Sequence, residues 1–135
     1  MIDNENAALV LMLKNPDTGF FEKELGQYKI GEDECFIEGL YAEQTEEGLT
    51  ICLRMGVGDL FDEIDDRLYN SIYDKYDADL LPDFIFEIID IDETYNPVWE
   101  ARFLFSDNPK ETEDMIKQAL AGHKTAVSLL RYLFG

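Results

Sequence analysis

The stretch LTICLRMGVGDLFDEIDDRLYNSIYDKY, residues 49–76, contains the strand-to-helix transition that decides the fold class. Its first seven residues alternate apolar and polar side chains, the period of a strand with one buried face. After the Gly56–Gly58 turn, apolar residues recur every three or four positions, as in an amphipathic helix. They are Phe61, Ile64, Leu68, Ile72 and Tyr76. We therefore predict a half-buried strand over 49–55 and a helix over 59–76, capped by Asp59 and with acidic residues in its first turn.

Five more strands and a second helix are predicted on either side of this stretch. Ala7–Leu13 is apolar at every residue, which indicates a strand covered on both faces. The KNPDTGF turn follows it, and Gly26 in the returning strand marks a β-bulge. The predicted strands cover residues 7–13, 20–30, 35–43, 84–91 and 98–105. Asn108 and Pro109 start a helix of about 25 residues. A break in this helix at Gly122 is the alternative. If the helix is continuous, the glycine lets another segment pack close.

The order of these elements predicts an α+β fold. Four strands, a helix, two strands and a long C-terminal helix form a single domain over residues 1–135. Because short turns join most of the strands, we expect a mainly antiparallel sheet of about six strands with both helices on one face.

The charge of the chain is strongly negative. It has 30 acidic and 11 basic residues, a net charge of −19. Residues 106–135 contain four of each sign, so the whole excess lies upstream. A field of this sign opposes binding to nucleic acid or anionic membranes and favours cations and basic partners. More commonly, a large net negative charge simply keeps a protein soluble.

The sequence also predicts a reducing, cytoplasmic location. The longest apolar run, Ala7–Leu13, is too short to span a bilayer, and Asp3 and Glu5 stand where a signal peptide carries positive charge. The hairpin over 35–55 would place Cys52 opposite Tyr41 or Ala42, about 20 Å from Cys35 at 3.4 Å per residue. We therefore expect no disulfide between the two cysteines.

Two groups of carboxylates are candidate ligands for a divalent cation. Asp90 and Asp92 lie on the same side at the end of a predicted strand, and Asp62 and Asp66 lie on one edge of the predicted helix. Carboxylate oxygens suit magnesium or calcium, the only cofactors that the sequence indicates. Neither Asp74 nor Asp77 starts a calcium-binding loop of the EF-hand type, and a solvated acidic surface is the alternative interpretation.

His123, the single histidine, lies on the apolar stripe of the last helix, where we predict a buried, hydrogen-bonded side chain rather than a catalytic base. One histidine and two distant cysteines do not form a zinc site. The Gly56–Gly58 segment lacks the third glycine of a dinucleotide-binding loop, and the acids after it would repel phosphate.

These observations favour a small, non-enzymatic protein-interaction or self-associating module, with the charge-balanced last helix as the oligomer surface. Two alternatives remain. One is a divalent-cation protein or metal-dependent hydrolase that uses Asp90, Asp92 and the acidic helix. The other is an inhibitor that mimics nucleic acid, with carboxylates in place of phosphates.

Overall fold

A computed structural model of the chain describes residues 9–134. Six strands and two α-helices follow one another in the predicted order. They are β1 (Leu9–Lys14), β2 (Phe21–Tyr28), β3 (Ile37–Thr45), β4 (Gly48–Met55), α1 (Asp66–Lys75), β5 (Glu87–Ile91), β6 (Val98–Leu104) and α2 (Pro109–Phe134). Short 3₁₀ helices occupy Glu32–Phe36 and Ala78–Leu80. The first two residues of the strand predicted over 7–13 lie outside the described residues.

The six strands form one sheet in the order β2-β1-β3-β4-β6-β5. All neighbours are antiparallel except β1 and β3, which pair in parallel, so the sheet is mixed. Parallel neighbours need a crossover, which β2 and the Glu32–Phe36 helix provide. This order places the apolar strand β1 between two others, and the α+β class is confirmed. The prediction that both faces of β1 are covered was wrong, because Val10 is 38% exposed and only Leu11 is buried.

The hairpin between β1 and β2 has the predicted bulge. Leu11 pairs with Gly26 but Met12 pairs with Glu24, so Leu25 is the extra residue. Gly19 closes the turn with a φ of 78°, a left-handed conformation that glycine adopts without a steric penalty.

The hairpin of β3 and β4 has the predicted register, and Cys52 pairs with Tyr41. The predicted start of β3 was wrong, because Cys35 lies in the 3₁₀ helix that precedes the strand. Both cysteines are free thiols, as expected.

The half-buried character predicted for β4 was also wrong. β4 lies between β3 and β6, and Thr50 and Cys52 on its supposedly solvated face are fully buried. Side chains of the two neighbouring strands cover that face, an effect that depends on the sheet order and not on the periodicity of β4.

Helix α1 starts seven residues later than predicted. Asp65, not Asp59, is its N-cap, and its carboxylate accepts a hydrogen bond from the backbone N–H of Leu68 at 2.8 Å. The apolar residues of the preceding loop, Phe61 and Ile64, nevertheless pack against the core. Burial therefore follows the predicted stripe, although the first part of the stripe is not helical.

Helix α2 is continuous through Gly122, and Asn108 caps it by accepting from the N–H of Lys110 at 3.1 Å. A Cβ at residue 122 would lie 2.7 Å from the carbonyl oxygen of Leu80, so the glycine allows the second 3₁₀ helix to pack close, as predicted. No helix within residues 9–134 is long and apolar enough to cross a membrane.

Both helices pack on one face of the sheet, as predicted. One apolar cluster joins Ile116 and Leu120 of α2 to the sheet residues Ile51 and Phe103. A second joins Ile72 of α1 and Val127 of α2 to Trp99. The other face of the sheet, called here the open face, has no helix of residues 9–134 over it.

Candidate functional site

The structure distributes the predicted metal ligands over several elements. Asp62 lies in the loop before α1 and Asp66 is its first residue, whereas Asp90 lies on β5 and Asp92 in the turn after it. Partial burial raises the pKa of Asp90, and the nearby negative charges of Asp92 and Asp74 raise it further. Within residues 9–134 no three histidine, cysteine, aspartate or glutamate side chains form a group that could hold a metal ion. A magnesium or calcium site at these carboxylates remains a prediction from sequence spacing.

His123 is a fully buried member of the core, as predicted. Its Nε2 lies 2.6 Å from the carbonyl oxygen of Gly56, and its Nδ1 lies 2.7 Å from the hydroxyl oxygen of Tyr76. Because a carbonyl oxygen can only accept, this geometry assigns the proton to Nε2 and makes Nδ1 the acceptor for the Tyr76 hydroxyl. Burial lowers the pKa of His123 to about 4, so the ring is neutral at pH 7.

A polar cluster that the sequence reasoning missed lies at the centre of the open face. The carboxylate of Glu100, which is almost fully buried, accepts three hydrogen bonds. The donors are Tyr41 Oη at 2.9 Å, Arg54 Nε at 3.0 Å and Arg102 Nε at 2.8 Å. These partners outweigh the effect of burial and lower the pKa of Glu100.

Arg54 and Arg102 cover Glu100 in place of a helix. The guanidinium nitrogens of Arg102 also lie 3.6 Å from Oε1 of Glu43 and 3.9 Å from Oε1 of Glu87. Carboxylates therefore surround this guanidinium. The signal in the sequence was the charged pair Glu100 and Arg102 inside a strand that is otherwise apolar. It was not sufficient, because Arg54 meets Glu100 only when β4 and β6 are neighbours.

The groups beside Glu100 are held in their protonated forms. Burial, with the charge of Glu100 nearby, raises the pKa of the Cys52 thiol to about 12. Burial likewise raises the pKa of the Tyr41 hydroxyl. Because the thiolate is the reactive form of cysteine, the cluster does not activate Cys52 as a nucleophile at neutral pH.

Helix α2 exposes a continuous face without charge, opposite its buried stripe. Six exposed residues on one side of the helix make up this surface, called here the uncharged face of α2. They are Gln118, Ala121, Thr125, Ser128, Leu129 and Tyr132. The side chain of Tyr132 is 84% exposed, and Leu133 beside it is 55% exposed. Leu129, Tyr132 and Leu133 are neighbours on the helix surface, and a contiguous exposed apolar patch is typical of a surface that contacts another protein.

Residues 4–130 match a family of unknown function, DUF6762. The chain belongs to this family. The DUF6762 match includes all six strands, α1 and most of α2, and the exposed residues Tyr132 and Leu133 follow it.

No curated protein and no solved structure matches this DUF6762 chain.

Proposed function

We propose that the protein is a non-enzymatic module that associates with a second copy of itself through the uncharged face of α2. One observation carries the proposal. The chain has a net charge of −19, yet this exposed face of α2 carries no charge over four helical turns. At its C-terminal end lie the exposed side chains of Tyr132 and, beside it, Leu133.

Electrostatics supports a second copy as the partner at this face. Two chains of net charge −19 repel each other over most of their surfaces. The segment 106–135 has no net charge, so contact there brings the smallest number of like charges together. A basic partner would instead be attracted to the acidic parts of the surface.

The shape of the face suits the packing of two helices. Ala121, Thr125 and Ser128 have small side chains, which let a second helix approach closely. Leu129 and Tyr132 add apolar area at one end, and aromatic residues of this kind often dominate the energy of an interface. A two-fold axis through the face would pair each face with its own copy.

The burial of the Cys52 thiol and the His123 ring supports a role without catalysis. The Cys52 thiol and the His123 ring are both fully buried and uncharged at neutral pH. A general base or nucleophile must instead reach its substrate in a suitable protonation state.

Sedimentation equilibrium across a wide range of protein concentration tests the proposal. We expect a reversible dimer that Tyr132→Glu dissociates, because each copy then places a charge at the contact. Tyr95→Glu is the matched control. Tyr95 lies in the turn between β5 and β6, away from α2, and is 93% exposed, so its replacement adds the same charge outside the proposed contact. A protein that stays monomeric at all concentrations, or equal effects of the two variants, would refute the proposed dimer.

Salt provides an independent readout. Because the two copies repel each other outside the contact, added salt should strengthen the dimer by screening that repulsion. A dimer that weakens with salt would indicate attraction between opposite charges and would contradict contact at an uncharged face.

A further inference from the structure

Two cavities meet at the start of β5, one on each side of the sheet. The first, of about 180 Å³, lies on the helix side and is lined mainly by Leu81, Pro82, Ile85 and Ile88. We call it the apolar groove. The second, of about 410 Å³, lies on the open side. Phe86 and Glu87 line both, so these two residues separate one cavity from the other.

The cavity on the open side is acidic. Glu46 and Glu47 of the β3–β4 turn line it together with Glu87, whose side chain is 51% exposed. We call it the acidic cavity. Arg102 also lines it, but three carboxylates already surround that guanidinium. The acidic cavity therefore has a net negative charge and favours a cationic side chain.

β5 is the outermost strand at its end of the sheet. An edge strand presents backbone N–H and C=O groups that can pair with another chain. β5 pairs with β6 in an unbroken register. The opposite edge strand, β2, has two register shifts, and bulges of this kind distort an edge and hinder further pairing. β5 is thus the more regular of the two edges.

We propose that β5 binds an extended segment of a basic partner protein by strand addition, with apolar and basic side chains of that segment alternating between the apolar groove and the acidic cavity. Successive side chains of a strand point to opposite faces about 3.3 Å apart. A residue that fills the apolar groove therefore directs its neighbour towards the acidic cavity.

The charge of the edge selects a separate, basic partner over a second copy. Glu87 and Asp90 lie on β5 itself, and Asp92 and Glu93 follow it. Two copies paired at this edge would bring these carboxylates and both acidic cavities together. A segment rich in lysine or arginine would neutralise them.

Titration of the isotope-labelled protein with a synthetic peptide tests the proposal. The probe is the hexapeptide acetyl-Lys-Val-Lys-Leu-Lys-Val-amide, which alternates the two chemistries. We expect saturable changes in the amide NMR signals of residues 85–91 and of the Glu46–Glu47 turn. A control with the same composition but contiguous lysines should bind more weakly, because its side chains cannot match both cavities. A control with methylated backbone nitrogens should also bind more weakly, because it lacks N–H donors.

Charge removal in the acidic cavity provides the matched variants. Glu46→Gln and Glu47→Gln should each raise the peptide Kd roughly two- to five-fold, the range for one exposed ion pair. Glu22→Gln on β2 removes one carboxylate at the other edge and should leave the Kd unchanged.

Equal binding of all three peptides, signal changes spread over the acidic surface, or no saturable binding would overturn the proposal. Signal changes confined to α2 would do the same. The outcome is independent of the proposed dimer, because Tyr132→Glu should leave peptide binding intact.

Discussion

Replacing Gly122 by alanine should destabilise the protein, although the same change stabilises most helices. Alanine is favoured over glycine inside a helix by about 1 kcal/mol. At residue 122, however, a Cβ would lie 2.7 Å from the carbonyl oxygen of Leu80, 3.2 Å from Cα of Leu81 and 3.3 Å from Cδ of Pro82. The first two are backbone atoms, which cannot rotate away. The packed segment must therefore shift.

The expected size follows from the balance of these two effects. Overpacking costs about 1–3 kcal/mol, which exceeds the gain in helix propensity in most of that range. We expect a net loss of about 1 kcal/mol, or a melting temperature lower by about 3–4 °C for a domain of this size. Urea unfolding followed by circular dichroism measures the free-energy difference directly, provided that the slope with denaturant is unchanged.

Ala121→Gly is the matched control for this measurement. Ala121 is the preceding residue of α2 and is exposed in the single chain. In a Tyr132→Glu background, where the proposed dimer does not form, its replacement reports the cost of glycine without a packing effect. We expect a loss of about 1 kcal/mol there. If Gly122→Ala instead stabilised the protein by the amount that Ala121→Gly destabilises it, the close contact with Leu80 would not exist and our reasoning would be wrong.

Three further predictions concern ionisable groups. The pKa of His123 is lowered from 6.5 to about 4, so its contribution to stability is complete above pH 6.5 and is lost as the pH falls to 4. Over that range the wild type should lose about 3 kcal/mol more unfolding free energy than His123→Gln, and parallel pH profiles of the two would contradict the buried neutral ring. Glu100→Ala should lower the free energy of unfolding in urea by about 1–3 kcal/mol, less than the loss for a fully buried ion pair because both arginines are partly exposed. An unchanged urea midpoint would contradict the role of the cluster. Asp92→Asn should lower the pKa of Asp90 in an NMR titration by removing a like charge, and a saturable effect of magnesium or calcium on the wild-type titration would establish the predicted cation site.

Much of the local structure could be predicted from the sequence because local residues specify it. The bulge near Gly26, the pairing of Tyr41 with Cys52 and the cap at Asn108 each depend on a turn or on a few neighbouring residues. The prediction of a helix from Asp59 failed for an instructive reason. Apolar residues at helical spacing show that a segment is buried, and a loop that follows the core surface produces the same spacing.

The candidate surfaces were less predictable. Charge balance in the last 30 residues indicated the uncharged face of α2, because a helix of known phase has a known exposed side. The cavities beside β5 could not be predicted in this way. They bring Glu46 and Glu87 together, residues that are distant in the chain and meet only through β4 and β6.

The sequence by itself determined the order of the elements, the α+β class and the burial of His123. These properties follow from periodicity and turn chemistry, which act over a few residues. Only the tertiary structure decided that β1 lies beside β3, that Arg54 and Arg102 enclose Glu100, and that β5 forms an open edge. The physical reason is that contacts between distant segments depend on the order of strands in the sheet, which the pattern within any one strand does not contain.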